Sequence, residues 1–280
     1  MVGLGNGLPL RLTIVNIVLV ALLLALGVPA RTTDTARTAA ASHDQGSEPA
    51  APGSQGSPRA VTYDRRSFMV DHERLMILSG SIHYNRVLPS DWDRVLKLAK
   101  GMGLNTIETY FFWSFHEPQP ASTLDWGGRR NITRFIQLAQ DNGLYVTLRV
   151  GPYSCGEYTY GGIPTWMNGL GAQCFRCSDP VWKREMKRVV QEVVRKVEPL
   201  LLPNGGPILM LQIENEYRGT DLEYLSWVVD IARNITTAVP WILCHDLLSC
   251  TKVNDGQDKA ICTINDVWMD VRAQAEPTTA

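Results

Sequence analysis

The strongest constraint on the fold is an alternation of short apolar runs with amphipathic helical patterns. The run from Pro207 to Ile213 is apolar except for one glutamine, as is typical of a strand buried on both faces. Similar strand-like runs occupy residues 105–113, 144–151 and 241–244. Strands that alternate with amphipathic helices predict a parallel sheet with right-handed crossovers.

The helical segments between these runs have distinct beginnings and ends. Ser90, followed by an acid at the third helical position, predicts an N-cap, and Gly103 predicts the end of that helix. Asp179-Pro180 predicts the start of a longer helix, which Pro199 closes. Two more helices are predicted from apolar residues at helical spacing, which are Ile132, Phe135, Ile136 and Ala139, then Leu222, Leu225, Val228, Val229 and Ala232.

The position of polar residues favours one of two folds for such a sheet. A doubly wound sheet that binds nucleotides would carry a glycine-rich phosphate-binding motif, and none is present. Polar clusters instead lie at or just beyond the C-terminal ends of strands, at residues 81–84, 113–117, 151–157 and 214–217. In a (β/α)8 barrel, also called a TIM barrel, these ends meet on one face, which holds the active site. The sequence therefore predicts an α/β fold of this barrel type.

The barrel is predicted for residues 61–280 and is expected to be incomplete at its C-terminus. We count about five or six strands, whereas a full barrel has eight and needs about 250 residues. Before the barrel, residues 65–81 predict two short strands with a turn at residues 71–73.

The N-terminal residues 1–30 are predicted to be a signal peptide. Their apolar run, Leu12 to Gly27, is shorter than the about 20 residues that a membrane span needs, and the small residues 28–30 suit a cleavage site. A type II signal anchor is the alternative. We therefore expect a secreted, extracellular or vacuolar-lysosomal protein, and membrane attachment only if this segment is an uncleaved anchor.

Residues 31–60 predict a low-complexity linker because they contain almost no large apolar side chain. Two sequons, at Asn131 and Asn234, are candidate glycosylation sites and agree with an oxidising compartment.

The six cysteines predict structural disulfides or buried thiols. Cys174 and Cys177 form a C-x-x-C motif, but no second motif or histidine pair completes a zinc site. Cys244, Cys250 and Cys262 lie in a polar, Asp-rich segment, where we expect a short bridge.

Several classes of function are excluded by composition and motifs. The formal net charge is -1, so the chain lacks the basic surface of a nucleic-acid-binding protein. No H-E-x-x-H motif is present and His83 and His116 stand alone, so no metal site is predicted. A serine hydrolase would carry G-x-S-x-G, which is also absent. No cofactor is predicted.

The strand ends supply four carboxylates, Glu117, Glu157, Glu214 and Glu216, among tyrosines and tryptophans. Glycoside hydrolysis needs one carboxylic acid to protonate the leaving oxygen and a second carboxylate to attack the sugar or activate a water. Glu216 follows Asn215 just past a buried strand, where poor solvation is expected to raise the pKa of a general acid. The alternative is that Glu216 is a solvated loop residue or caps the next helix.

Five sequence blocks resemble the signature blocks of glycoside hydrolase family 35, the β-galactosidases, in the order and spacing of that family. The blocks are Gly80–Tyr84, Thr109–Pro118, Leu148–Glu157, Gly161–Trp166 and Gln212–Tyr217. The resemblance extends from about Val61 to Asp266. Residues 241–244 and 264–265 are most similar to the plant-like branch.

The resemblance implies a (β/α)8 barrel that releases terminal β-linked galactose from β-galactosides or galactose-containing polysaccharides, with retention of configuration. It implies that Glu216 is the acid/base and that Asn215 binds the sugar 2-hydroxyl. The implied substrate-binding positions are Tyr110, Ser154, Gly156, Glu157 and Asn215.

This chain also departs from the family. The family usually has Ala at the position of Gly156, often Trp at that of Tyr158, and Gly at that of Arg218. The family nucleophile is a Glu in a Trp-rich block on a later strand, and no such block occurs before Ala280. Glu276 has different neighbours, so no nucleophile is predicted within this chain.

Two functions therefore remain open. One is a secreted retaining β-galactosidase of which these residues are the N-terminal part. The other is a truncated, non-catalytic galactoside-binding remnant that lacks the nucleophile. A related β-glycosidase, such as a β-glucosidase or a mannanase, is a third interpretation.

Overall fold

The computed structural model describes residues 59–263, except for residues 65, 122, 245–246 and 255–258. The predicted signal segment and nearly all of the predicted linker lie outside the described residues, as do residues 264–280. Among the described residues, no helix is long and apolar enough to span a membrane.

A small antiparallel sheet precedes the barrel. Its strands are β1 (Val61–Tyr63), β2 (Phe68–Val70) and β3 (Glu73–Leu75). The β2–β3 hairpin turns at Asp71 and His72, whose φ angles are 53° and 71°. The predicted turn is therefore confirmed. The predicted strand count for residues 65–81 was too low, because these residues also contain the first strand of the barrel.

A six-stranded parallel sheet forms the centre of the described chain. Its strands are β4 (Ser79–Ser81), β5 (Thr106–Tyr110), β6 (Tyr145–Gly151), β7 (Ile208–Ile213), β8 (Trp241–Cys244) and β9 (Ile261–Thr263). Each strand pairs with the next in chain order, from β4 to β9. A doubly wound sheet would reverse its strand order at a switch point, so this sequential order confirms the barrel type of sheet.

Helices follow the strands and bury their apolar faces. They are α1 (Trp92–Gly101), α2 (Trp113–His116), α3 (Ile132–Asp141), α4 (Pro180–Val197), α5 (Leu222–Ile235) and α6 (Leu247–Asn254). The predicted α1, α3, α4 and α5 are confirmed. The Asp179 side chain caps α4 by accepting from the backbone N–H groups of Val181 and Trp182. Large side chains such as Trp182 and Phe135 are fully buried in the core that these helices share with the sheet.

Two local predictions were wrong. Ser90 does not cap α1, because Pro89 starts a 3₁₀ turn that runs to Asp91 and directly into the helix. The strand predicted for residues 105–113 ends at Tyr110. The chain then leaves the sheet, since Trp113 begins the helical turn of α2.

The structure contains two disulfides, Cys174–Cys177 and Cys250–Cys262. The second is the short bridge predicted for the polar segment. Cys155 and Cys244 remain thiols, and burial raises the pKa of the Cys244 thiol.

Candidate active site

Backbone hydrogen bonds bring the C-terminal strand ends together. Phe111 N–H donates to the Arg149 carbonyl at 2.9 Å. Glu214 N–H donates to the Gly151 carbonyl at 3.0 Å, and Glu216 N–H donates to the Cys244 carbonyl at 2.9 Å. The C-terminal ends of β5, β6, β7 and β8 are therefore neighbours at one edge of the sheet, as the barrel prediction requires.

Glu117, after β5, is fully occupied by structural contacts. Its buried carboxylate accepts from Trp113 Nε1 at 2.6 Å, from Ala121 N–H at 3.0 Å and from Arg188 Nη2 at 2.8 Å. The ion pair with Arg188 joins the end of β5 to α4. Because this carboxylate pairs with a cation and accepts from two other donors, it fixes the segment after β5 against α4.

Glu214, directly after β7, is also buried and occupied. It accepts from Arg176 Nε at 2.9 Å and Nη2 at 2.7 Å, which is a bidentate ion pair. It also accepts from the Tyr224 hydroxyl at 2.9 Å and from the Asn215 N–H at 2.7 Å. A carboxylate with four donors has no open position for a substrate.

Asn215 is buried but has an unused donor. Its Oδ1 accepts from Gln212 Nε2 at 3.0 Å, while its Nδ2 atom is buried with no hydrogen-bond partner in the described structure. A buried donor without a partner costs about 1–3 kcal/mol, so such groups are rare and point to a missing ligand or a functional role.

Glu216 is half-buried and follows Asn215 in a strained backbone. The φ angles of Glu214 and Glu216 are 61° and 46°, in the left-handed region that favours glycine. Such a conformation costs on the order of 1–3 kcal/mol per residue and clusters at functional sites. The turn after β7 thus places Asn215 between two strained residues.

The segment after β6 closes over the same edge of the sheet. Ser154 is fully buried, and its hydroxyl donates to the Phe111 carbonyl at 2.8 Å, so it fastens this segment to the end of β5. Glu157 is exposed and also has a positive φ, of 48°. Within the described chain, Glu157 is therefore accessible to a ligand from solvent.

Glycine suits the local geometry at position 156. Its φ is +60°, and an added Cβ would lie 3.1 Å from Tyr110 Cδ2 and 3.2 Å from Phe112 Cζ. An alanine here, as the family usually has, would combine an unfavourable backbone with close ring contacts. The departure at Gly156 thus matches the tight packing of Tyr110 and Phe112 beneath this segment.

Tyr110 lies at the end of β5 and is nearly buried. The Arg149 guanidinium lies 3.7 Å from the centre of its ring, and the His83 ring lies 4.2 Å from it, centre to centre. Burial raises the pKa of Tyr110 although Arg149 opposes the shift, so its hydroxyl is a hydrogen-bond donor at neutral pH. This places the predicted sugar-binding Tyr110 in a defined orientation.

Three charged residues of the site were missed from sequence. Glu108 and Arg149 form an ion pair at 3.2 Å between β5 and β6, and Ser81 Oγ donates to Glu108 at 3.0 Å. Glu108 lies within β5 and Arg149 within β6. A charged residue is unusual in a strand that is buried on both faces, and this signal could have identified both residues. Arg176 was missed because only its place within the C-x-x-C motif distinguishes it in sequence.

The two histidines near the rim are neutral at physiological pH. Burial, followed by the charges of Arg86 and Arg149, lowers the pKa of His83 to about 4. Burial also lowers the pKa of His116 to about 4, and its Nε2 lies 2.5 Å from the Tyr84 hydroxyl. Among the described residues, no group of three or more His, Cys, Asp or Glu could hold a metal ion.

The two candidate glycosylation sites differ in their surroundings. Asn131 is half-buried at the N-terminus of α3, and its side chain accepts from the Arg134 N–H at 3.0 Å. Asn234 is exposed near the end of α5. Asn234 is thus the more accessible of the two.

Comparisons with known proteins identify the family of the chain. The model of "Glycosyl hydrolases family 35" matches residues 67–278. The chain is 40% identical over 194 residues to "Probable beta-galactosidase 2" of Dictyostelium discoideum, covering 66% of this chain and 25% of that protein. It is 39% identical over 219 residues to "Beta-galactosidase 8" of Arabidopsis thaliana, covering 75% of this chain and 25% of that protein.

The chain therefore spans about a quarter of the length of these curated relatives. Among solved structures, a β-galactosidase from the psychrophilic Marinomonas ef1 is similar with a TM-score of 0.52. The sequence identity is 12%, and the match covers 68% of this chain and 40% of that chain. This likeness shows a shared barrel fold alone.

Proposed function

Because the chain belongs to glycosyl hydrolase family 35, we propose that its barrel contributes to retaining hydrolysis of terminal β-linked galactose. The substrate class is a β-galactoside or a galactose-containing polysaccharide. The observation that carries this proposal is the Asn215-Glu216 pair after β7, in which a buried amide lacks a partner beside a half-buried carboxylate.

The occupancy of the rim carboxylates supports Glu216 as the acid/base. Glu117 and Glu214 are buried and ion-paired with Arg188 and Arg176. Each of them is held by an arginine and by further donors within the protein. Glu216 is the half-buried carboxylate that directly follows Asn215, the position that the family resemblance gives to the acid/base.

In the proposed reaction, protonated Glu216 gives its proton to the glycosidic oxygen as the bond to the anomeric carbon breaks. The Glu216 carboxylate then accepts a proton from the water that releases galactose. The Asn215 Nδ2 group donates to the sugar 2-hydroxyl, which supplies the partner that this buried amide lacks. Tyr110 and Glu157 bind further hydroxyls, and the segment with Ser154 and Gly156 shapes the pocket.

A retaining enzyme also needs a nucleophilic carboxylate about 5 Å from the acid/base. We place it, as the family resemblance implies, on a later barrel strand outside residues 61–280. A galactoside-binding chain without turnover is the second candidate function, and the same unpartnered Asn215 amide favours sugar binding in either case.

The test is to express residues 1–280 and to measure turnover of a chromogenic β-galactoside beside the Glu216→Gln variant. We expect binding of galactose but no turnover by either protein, because we propose that the nucleophile lies on a later barrel strand and the described residues supply only the acid/base. Turnover that Glu216→Gln abolishes would contradict the placement of the nucleophile outside these residues. It would mean that a carboxylate within them is the nucleophile, and Glu157 would be the first candidate. Absence of galactose binding would contradict the sugar site itself.

We also propose that the protein enters the secretory pathway. The two disulfides, the predicted signal segment and the exposed Asn234 sequon support this location, since disulfides persist in oxidising compartments. Sequencing the N-terminus of the exported protein should find Arg31 as the first residue. Retention in the membrane with residues 1–30 intact would instead support the type II anchor. Loss of a glycan in Asn234→Gln would establish modification at that site.

A further inference from the structure

Arg176 lies behind the Asn215-Glu216 pair and contacts the turn after β7 through three hydrogen bonds. Its Nε and Nη2 atoms donate to the two Glu214 oxygens at 2.9 and 2.7 Å. Its Nη2 atom also donates to the Asn215 carbonyl at 2.6 Å. One guanidinium therefore binds both the side chain before Asn215 and the peptide group that joins Asn215 to Glu216.

The loop that carries Arg176 is itself fixed. The Cys174–Cys177 disulfide encloses Phe175 and Arg176, and the Phe175 ring lies 5.6 Å from the Trp182 ring, centre to centre. Arg176 has a left-handed φ of 57°, and its guanidinium lies 3.7 Å from the centre of the Tyr153 ring. The guanidinium is thus held on one side by an aromatic face and on the other by Glu214.

The charge of this pair matters because Glu214 is almost completely buried. Burial opposes the charge of Arg176, but Glu214 outweighs burial and raises the pKa of Arg176. Without the guanidinium, Glu214 would leave an uncompensated buried charge next to Asn215, which is strongly unfavourable. The turn would then relax toward solvent or toward other donors.

We propose that Arg176 is a positioning residue for the Asn215-Glu216 pair, which it holds through Glu214 and the Asn215 carbonyl. This inference rests on the proposed function, since it assigns Arg176 to the same sugar site. Arg176 itself does not contact the reacting atoms. Its effect is to keep the Asn215 amide and the Glu216 carboxylate in the strained turn that presents them together.

The test uses the full chain and the variant Arg176→Lys, which keeps the charge but cannot form the bidentate pair. The matched control is Arg188→Lys, which alters the other buried ion pair, with Glu117, without touching the turn after β7. Two quantities are measured by NMR, the exchange rates of the Asn215 and Glu216 amides and the dissociation constant for galactose.

In Arg176→Lys we expect exchange of both amides to rise and galactose binding to weaken by about tenfold. The Asn215 side-chain amide resonance should shift as well, which a general loss of folded protein would not cause. In Arg188→Lys these three signals should stay as in the wild type even if its melting temperature falls. Unchanged exchange and an unchanged Asn215 resonance in folded Arg176→Lys would overturn the proposal.

If Arg176→Lys does not fold, the double variant Arg176→Met with Glu214→Gln removes both charges together and avoids an unpaired buried charge. It should still expose the Asn215 carbonyl and speed exchange at Glu216, and slow exchange in this variant would also overturn the proposal. The exchange measurement needs no sugar. If the wild-type chain fails to bind galactose, the proposed function is contradicted. The exchange rates still test whether Arg176 positions the turn.

Discussion

The ends of β5 and β7 each contain a buried glutamate–arginine ion pair, but the polar groups around the two pairs differ. At each end a buried glutamate forms an ion pair with an arginine from a distant part of the chain, Arg188 for Glu117 and Arg176 for Glu214. Both pairs fix an irregular segment where it leaves the sheet. In both places the carboxylate is a structural element rather than a reactive group.

The difference lies in the neighbouring polar groups. After β5, the indole N–H groups of Trp113 and Trp166 donate to the Glu117 side chain and to its carbonyl, so they too have partners. After β7, the Asn215 Nδ2 atom lacks a partner and Glu216 is half-buried in a left-handed backbone. Unpartnered buried atoms also occur near β5, at Thr109 Oγ1 and Arg188 Nη1, so what distinguishes the end of β7 is an unpartnered amide directly beside a half-buried carboxylate.

The largest expected effect is a loss of catalysis when Glu216, at the end of β7, is replaced. In a form of the protein that carries a complete barrel, Glu216→Gln should lower hydrolysis of alkyl galactosides by about 10²–10⁴-fold, the usual contribution of a general acid. Dinitrophenyl galactosides should lose much less in the galactosylation step, because their leaving group needs no proton. Pre-steady-state rates for both substrates provide the measurement, and an equal loss with both would remove Glu216 from this role.

The second prediction concerns stability at the end of β5. Glu117→Ala should lower the free energy of unfolding by about 3 kcal/mol, because it leaves Arg188 without its partner and two donors unsatisfied. Urea denaturation measures this loss. Galactose binding by the folded fraction should not change. A weaker affinity in Glu117→Ala would mean that the two strand ends are not separate in function.

The two disulfides should affect stability and binding in opposite order. By the chain-entropy model, Cys250→Ser with Cys262→Ser should cost about 3 kcal/mol and Cys174→Ser with Cys177→Ser about 2 kcal/mol, since the bridged residues lie 12 and 3 positions apart. Only the loss of the Cys174–Cys177 bridge should weaken galactose binding, because it releases Arg176. Thermal unfolding and galactose titrations of both variants make the comparison, and equal effects on binding would contradict it.

The smallest effect is a pH dependence at the end of β5. The pKa of His116 is about 4 in the folded protein, below the ordinary value of 6.5, so the unfolded state binds its proton first as pH falls. Its contribution is complete above about pH 6.5 and declines toward pH 4, by about 2 kcal/mol between pH 7 and pH 5. Asp125 and Arg130 are the charged groups that act on this ring.

The control for this prediction is His116→Gln, which does not titrate. The variant should be less stable at pH 7, since it loses the contact with the Tyr84 hydroxyl, but its stability should fall less steeply in acid. Unfolding free energies at several pH values measure the two slopes. Parallel slopes would show that His116 is not the group responsible.

The sequence predicted the parts of this fold that depend on local pattern. Strands β6 and β7 are mostly apolar, β5 is rich in Thr, Ile and Tyr, and α3, α4 and α5 have regular apolar faces, so local pattern identifies them. Strands β4 and β9 have three residues each, which is too short for a pattern. The Ser90 cap failed because the preceding Pro89 extends a 3₁₀ turn into the helix.

The site was predictable in position but not in roles. Spacing placed Glu214, Asn215 and Glu216 beyond a buried strand, yet it could not show which carboxylate is already paired. That distinction depends on Arg176, which lies 38 positions earlier in the chain, and on Tyr224. Spacing likewise could not show that Glu117 is structural, since its partner Arg188 lies 71 positions away; only the family resemblance indicates such a role.

The most direct test of the account is whether galactose supplies the missing partner of the Asn215 side-chain amide. The measurement is the chemical shift of that amide in the full chain during titration with galactose, with Asn215→Ala to assign the signal and glucose as the competing sugar. We predict a saturable shift at Asn215 with galactose and a much weaker one with glucose. No shift at Asn215 while galactose binds elsewhere, or equal responses to both sugars, would contradict a galactose site at the end of β7.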